Sequence, residues 1–172
     1  FMYILLVYQI FAWFYSAEPF RLKKYPIIAT FVSALASILL VFLGYSFFSG
    51  DQNIQLFSWR IMGLLVVVLT TALPLKDFKD IEGDRKYGIW TIPVIFGEEK
   101  GRLIIGAGIF LCFLFSVFVI NELQLFWWSL FFGSLCFFVL VNQKIKPTHL
   151  FWWILTLVII YGLVLVKVAI LK

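Results

Sequence analysis

Long apolar stretches broken only by short polar loops constrain this chain more than any other feature. A helix crossing the hydrocarbon of a bilayer needs about 20 mostly apolar residues. Candidate stretches lie at 1–16, 26–48, 58–75, 102–120, 124–142 and 149–170. Charged residues make up 13% of the 172, against about 25% in soluble domains. The expected fold is therefore all-α: a polytopic transmembrane helix bundle of six spans, forming a single domain over 1–172.

The connections at 121–123 and 143–148 are short, so the helices they join are antiparallel neighbours. The other loops are 17–25, 49–57 and 76–101. Alternate loops fall on opposite sides of the membrane. The side holding 17–25, 76–101 and 143–148, with Arg102 at the same surface, carries 11 of the 14 Lys and Arg residues. Arg60, Lys167 and Lys172 remain on the other. The positive-inside rule makes the basic side cytoplasmic in an integral, multi-pass protein. The net charge of +5 is then topological and calls for no nucleic-acid partner. Cys112 and Cys136 sit inside apolar runs and read as small buried hydrophobes, not as a disulfide or metal site. Trp127–Trp128 and Trp152–Trp153 open helices and read as interface anchors, with stacking on a ligand as the alternative. The chain opens at Phe1 inside an apolar run, which is expected of the C-terminal part of a longer protein.

Against this background stands KDFKDIEGDRKYGIWTIPVIFG, residues 76–97, whose first eleven positions hold four acids and four bases. Burying these in lipid would be prohibitive. On a helix at about 100° per residue, Asp77, Asp80 and Asp84 fall on one stripe. Glu82 points away, spaced to pair with Lys79 and Lys86. Three aspartates repel one another unless a cation sits on them, and carboxylate oxygens suit Mg²⁺, which bridges readily to phosphates. The bland alternative is a solvated amphipathic loop. Pro74 is expected to end or kink the third span just before this motif. On the same side, YSAEPFRLKKYP (15–26) holds Arg21, Lys23 and Lys24 between two prolines. The patch is explained either by positive-inside anchoring or by diphosphate binding. Lys76 and Arg85 are further candidates for a diphosphate, and Tyr25 and Tyr87 could hydrogen-bond a phosphate or pack at the interface. His149, the only histidine, reads as an interface residue before it reads as a base.

These two stretches resemble the UbiA-type superfamily of membrane prenyltransferases. Asp80 and Asp84 match that family's second DxxxD, followed by the Gly88, Thr91, Pro93, Gly97 tail, and YSAEPFRLKKYP is similar to its basic YS-x-x-P-x-RLK segment. The resemblance implies nine helices, of which these six would be the fourth to ninth, with the first aspartate motif outside the 172 residues. It implies Mg²⁺ held by Asp77, Asp80 and Asp84, and an allylic prenyl diphosphate donor gripped by metal, Arg21, Lys23 and Lys24. It also implies a membrane-soluble, typically aromatic acceptor. Quinone precursors lead as acceptors; chlorophyllide, haem or a glycerol lipid are sister possibilities.

A transporter with an acidic cation site is the rival from another class. Transporters place ionisable groups near the bilayer midplane, whereas here they crowd a loop. A CDP-alcohol transferase would need DG followed by AR, which IEGDRKYG lacks.

Overall fold

The computed structural model describes residues 2–48 and 58–169. Phe1, the 49–57 loop and Lys172 of the expected topology lie outside the described residues. Within them the chain is helical, with no strand: α1 (Met2–Ser16), α2 (Pro26–Phe48), α3 (Trp59–Ala72), α4 (Ile81–Lys86), α5 (Ile92–Ile120), α6 (Leu125–Val141) and α7 (Pro147–Ala169). Two 3-10 segments, Leu22–Lys24 and Leu73–Lys79, complete the set.

The starts and stops follow local chemistry. Proline opens α2 and α7, where its missing N–H costs nothing. Asn121 ends α5 in the left-handed conformation, φ 60°, donating its N–H to the Val117 carbonyl. Helix α3 gives way to 3-10 geometry at Leu73, beside Pro74, as the sequence suggested. Among the described residues, four helices are long and apolar enough to cross a membrane: α2, α3 with its 3-10 extension, α5 and α7. At 15 and 17 residues, α1 and α6 are shorter apolar helices. The fourth apolar helix starts ten residues before the expected 102. α5 begins at Ile92, and Gly97 (φ 81°) breaks it before the long stretch that follows.

Helix α5 packs between α3 and α6, α7 packs on α6, and α1 and α2 pair and join the bundle through α3. The core runs through Leu75, Phe78, Ile105, Phe113, Cys136 and Ile154. Small residues bring the helices close, as membrane bundles require. At Gly108 a Cβ would stand 2.6 Å from the Thr71 methyl carbon, so α3 and α5 meet almost backbone to side chain. The Tyr161 hydroxyl bonds to Ser116 and, at 2.7 Å, to Ser129, tying α5, α6 and α7 together. Both cysteines are free and buried. Large apolar side chains such as Phe118, Phe138, Trp127 and Trp152 face outward, which suits lipid.

Contacts place three loops at one end of the bundle. The Trp90 N–H donates to the Lys24 carbonyl at 3.4 Å, joining 17–25 to 87–91. Arg102 donates to the carbonyls of Asn142 (3.0 Å) and Ile145 (2.9 Å), joining the start of α5 to 143–148. Arg102 is therefore not a surface cation, as its sequence position suggested. It is 1% exposed.

Candidate active site

The aspartates do not share one helix. Residues 73–79 form a 3-10 segment, Asp80 (φ −116°, ψ 15°) breaks it, and α4 starts at Ile81. The break preserves the grouping. In 3-10 geometry residues i and i+3 lie one above the other, which aligns Asp77 with Asp80. The Asp84 N–H then bonds to the Asp80 carbonyl at 2.8 Å, which fixes the next acid one α-turn on. Phe78, buried between Asp77 and Lys79, pins the segment to the core. The ion pairs expected of Glu82 are absent among the described residues. Lys79 reaches Asp80 instead, at 3.9 Å, because it precedes α4 and so lies outside the helical register that would pair it with Glu82.

All three aspartates line one cavity of about 310 Å³, together with Lys23, Lys76, Lys79, Tyr15 and Thr91. Its walls are the end of α1, the start of α2, the 3-10 segment 73–79, α4 and residues 89–92. A groove sharing Tyr15, Ser33, Leu73 and Lys76 extends from it between α1 and α2. A separate apolar cavity of about 210 Å³ lies among α3, α5 and α7.

The basic stretch divides. Lys23 lines the cavity. Arg21 adopts the left-handed conformation (φ 38°) and places Nη1 3.5 Å from Glu18 Oε1; Lys24 Nζ is 3.8 Å from the same oxygen. Glu18 thus draws both away. Tyr25, Arg85 and Tyr87 are exposed and outside the lining, and so is His149.

The chain beyond α4 returns to the site through a Schellman turn. The Ile89 N–H bonds to the Asp84 carbonyl at 2.9 Å and the Gly88 N–H to the Arg85 carbonyl at 3.3 Å. Gly88 has φ 65°, which a glycine adopts without strain. The turn delivers Thr91 to the cavity beside Asp84. Burial pushes the Asp84 carboxyl above its ordinary pKa, and the Asp80 charge adds to this. The Thr91 hydroxyl and the Lys76 charge act in the opposite direction. The hydroxyl lies close enough to act on that carboxyl, yet it makes no hydrogen bond in the structure. Sequence reasoning saw Thr91 only as part of a motif tail. It missed Lys79 and Tyr15 as lining residues.

No three His, Cys, Asp or Glu side chains among the described residues converge into a ready-made metal cage. That does not disqualify Mg²⁺, which is commonly held by one or two carboxylates, with water and phosphate oxygens filling the rest. Mixed aspartates and lysines in one cavity suit a cation that arrives with a phosphate.

Fold and site together define a helical, membrane-type protein with a charged cavity at one end of an apolar bundle. The sequence pattern of the UbiA prenyltransferase family matches residues 1–149, and the chain belongs to that family. The 2-acyl-4-prenylphloroglucinol 6-prenyltransferase of Humulus lupulus is 34% identical over 60% of this chain and 26% of its own length. Chlorophyll synthase of Arabidopsis thaliana is 30% identical over 59% of this chain and 26% of its own. Digeranylgeranylglyceryl phosphate synthase of Methanobrevibacter smithii is 26% identical over 49% of this chain and 30% of its own. The chain thus spans between a quarter and a third of these relatives. No solved structure matches it.

Proposed function

We propose that this chain forms the second aspartate-bearing part of a Mg²⁺-dependent prenyltransferase. Its helices would correspond to the fourth to ninth of nine, with the basic loops cytoplasmic. The reading rests on one observation: Asp77, Asp80 and Asp84 share a cavity with Lys23, Lys76 and Lys79. Carboxylates alone would repel a diphosphate, and lysines alone would need no acids. Side by side they suit a diphosphate bound together with its cation.

In this reading Asp80 and Asp84 would hold Mg²⁺, with Asp77 beside them, and Lys23, Lys76 and Lys79 would bind the phosphate oxygens. Bound Mg²⁺ would supply Lewis-acid stabilisation of the departing diphosphate. The allylic C–O bond breaks with its electron pair leaving on the diphosphate. A carbon of the acceptor ring then bonds to the allylic carbon, and the ring loses a proton. The apolar cavity among α3, α5 and α7 offers a place for the isoprenoid tail. The names of the relatives span a phloroglucinol, a chlorophyll and a glyceryl phosphate. An aromatic acceptor is favoured, and a quinone precursor is the first to try. Transport is disfavoured because these charges gather at one end of the bundle.

The test is a transfer assay on the full-length protein in membranes. Labelled geranyl, farnesyl and geranylgeranyl diphosphates would be offered with a panel of aromatic acceptors, with and without Mg²⁺. Mg²⁺-dependent product that is lost in Asp80→Asn/Asp84→Asn supports the reading. No product and no Mg²⁺-dependent release of diphosphate would overturn it.

A further inference from the structure

Thr91 occupies the N-cap position of α5, where a threonine oxygen ordinarily accepts the N–H two or three residues on. Here it makes no cap bond. Residue 93, the nearer of those two donors, is a proline and has no N–H. The hydroxyl also bonds to no carbonyl, although threonines on helices commonly do so, as Thr71 does with Val67. Yet Thr91 is only 8% exposed. A buried hydroxyl with no partner is rare in native structures and is destabilising. The backbone holds it in place. Its N–H bonds to the Ile89 carbonyl at 3.2 Å and its carbonyl accepts from Ile95 at 3.0 Å. Its β-branched side chain has little rotamer freedom. Thr91 lines the cavity together with Asp84, and the proton of its hydroxyl is not committed to another partner.

We infer that Thr91 is a positioning residue for Asp84: its hydroxyl donates to one carboxylate oxygen when the other is drawn onto a divalent cation. This rests on the proposed role of Asp84 as a cation-holding group and adds the group that orients it. A cation drawing one Asp84 oxygen toward itself would turn the other toward the orphaned hydroxyl, which shares the cavity with it. Residues that orient a metal ligand typically change metal affinity about 10- to 100-fold when removed.

The probe is Mn²⁺, titrated by electron paramagnetic resonance into the full-length protein in nanodiscs with inorganic pyrophosphate present. Wild type, Thr91→Val, Thr91→Ser and Asp84→Asn are compared, and each metal-free protein is melted in parallel. Valine keeps the shape and deletes the hydroxyl; serine keeps the hydroxyl. The expected result is Mn²⁺ binding weakened about 10- to 100-fold in Thr91→Val, with serine close to wild type. The metal-free Thr91→Val protein should melt no lower than wild type, because an unpartnered hydroxyl has been removed. A merely structural threonine would lower the melting temperature and leave Mn²⁺ binding alone. Wild-type Mn²⁺ affinity in Thr91→Val, with binding lost in Asp84→Asn, overturns this inference and leaves the proposed function standing. Binding that is absent in wild type, or unchanged in Asp84→Asn, overturns the cation role of Asp84 and the inference with it. Should the valine protein fail to accumulate, Thr91→Cys, whose S–H is a weak donor, is read by the same criteria.

Discussion

The guanidinium of Arg102 lies over the ring of Phe78, 5.9 Å from its centroid. Arg102 also holds Glu98 at 2.6 Å, one turn back on α5, and the Asn142 and Ile145 carbonyls beyond α6. Phe78 in turn separates Asp77 from Lys79. A single buried cation thus links the α6–α7 loop to the segment that carries the aspartates. Replacing Arg102 with leucine strands those carbonyls. The expected loss is about 2–3 kcal/mol, read as a lower unfolding midpoint in detergent. Glu98→Gln should cost less, because Glu98 is partly exposed and the carbonyl bonds of Arg102 survive.

Asp84 predicts a pH dependence with a definite sign. Burial and Asp80 hold its folded pKa above the unfolded value. Between those two values the folded protein binds more protons than the unfolded chain, so stability falls as pH rises through the window. With divalent cations chelated, the melting temperature should therefore decline from the ordinary carboxylate range upward, and Asp84→Asn should flatten that decline. A bound cation favours the charged form, so Mg²⁺ should flatten it as well and should bind more weakly as pH is lowered. A set of melts at stepped pH, with chelator and with Mg²⁺, measures both.

The division of the basic stretch separates its members functionally. Lys23 lines the cavity, whereas Glu18 turns Arg21 and Lys24 aside. A hydrogen bond to a charged group contributes about 1.5–3 kcal/mol, so Lys23→Gln should raise the KM for the prenyl donor about 10- to 100-fold. Arg21→Gln and Lys24→Gln should each change it less than about 3-fold. Equal losses in all three variants would mean that Glu18 releases its partners when the donor binds.

Much of this was legible in the sequence. Apolar runs marked α2 to its last residue, and α1 and α6 within a residue or so. Pro74 marked the change to 3-10 geometry. The start of α5 was not legible, because Glu98, Glu99, Lys100 and Arg102 look like loop in a hydropathy reading. The spacing of Glu98 and Arg102, four residues apart, was the helical signal available there. Which lysine faces the cavity was also hidden. It depends on the left-handed backbone at Arg21 and on the reach of Glu18, neither of which a spacing rule contains. The three aspartates were grouped correctly on a wrong premise: a 3-10 turn followed by an α-turn keeps them together as one continuous helix would.

The approach of α3 to α5 gives a test of packing that does not involve the charged cavity. A Cβ on Gly108 would sit 2.6 Å from the Thr71 Cγ2 atom, closer than real carbons approach. Gly108→Ala must therefore push the helices apart or turn the Thr71 side chain, which bonds to the Val67 carbonyl at 2.8 Å. Overpacking of this kind typically costs about 1–3 kcal/mol. Thr71→Ser removes the offending methyl and keeps the hydroxyl bond, so alone it should cost little. In the double variant Gly108→Ala/Thr71→Ser most of the loss should be recovered. The coupling, read from unfolding midpoints of the four proteins, should be about 1 kcal/mol or more in the favourable direction. Simple additivity would mean that α3 and α5 accommodate the extra carbon by sliding, and that their separation is not set by this contact.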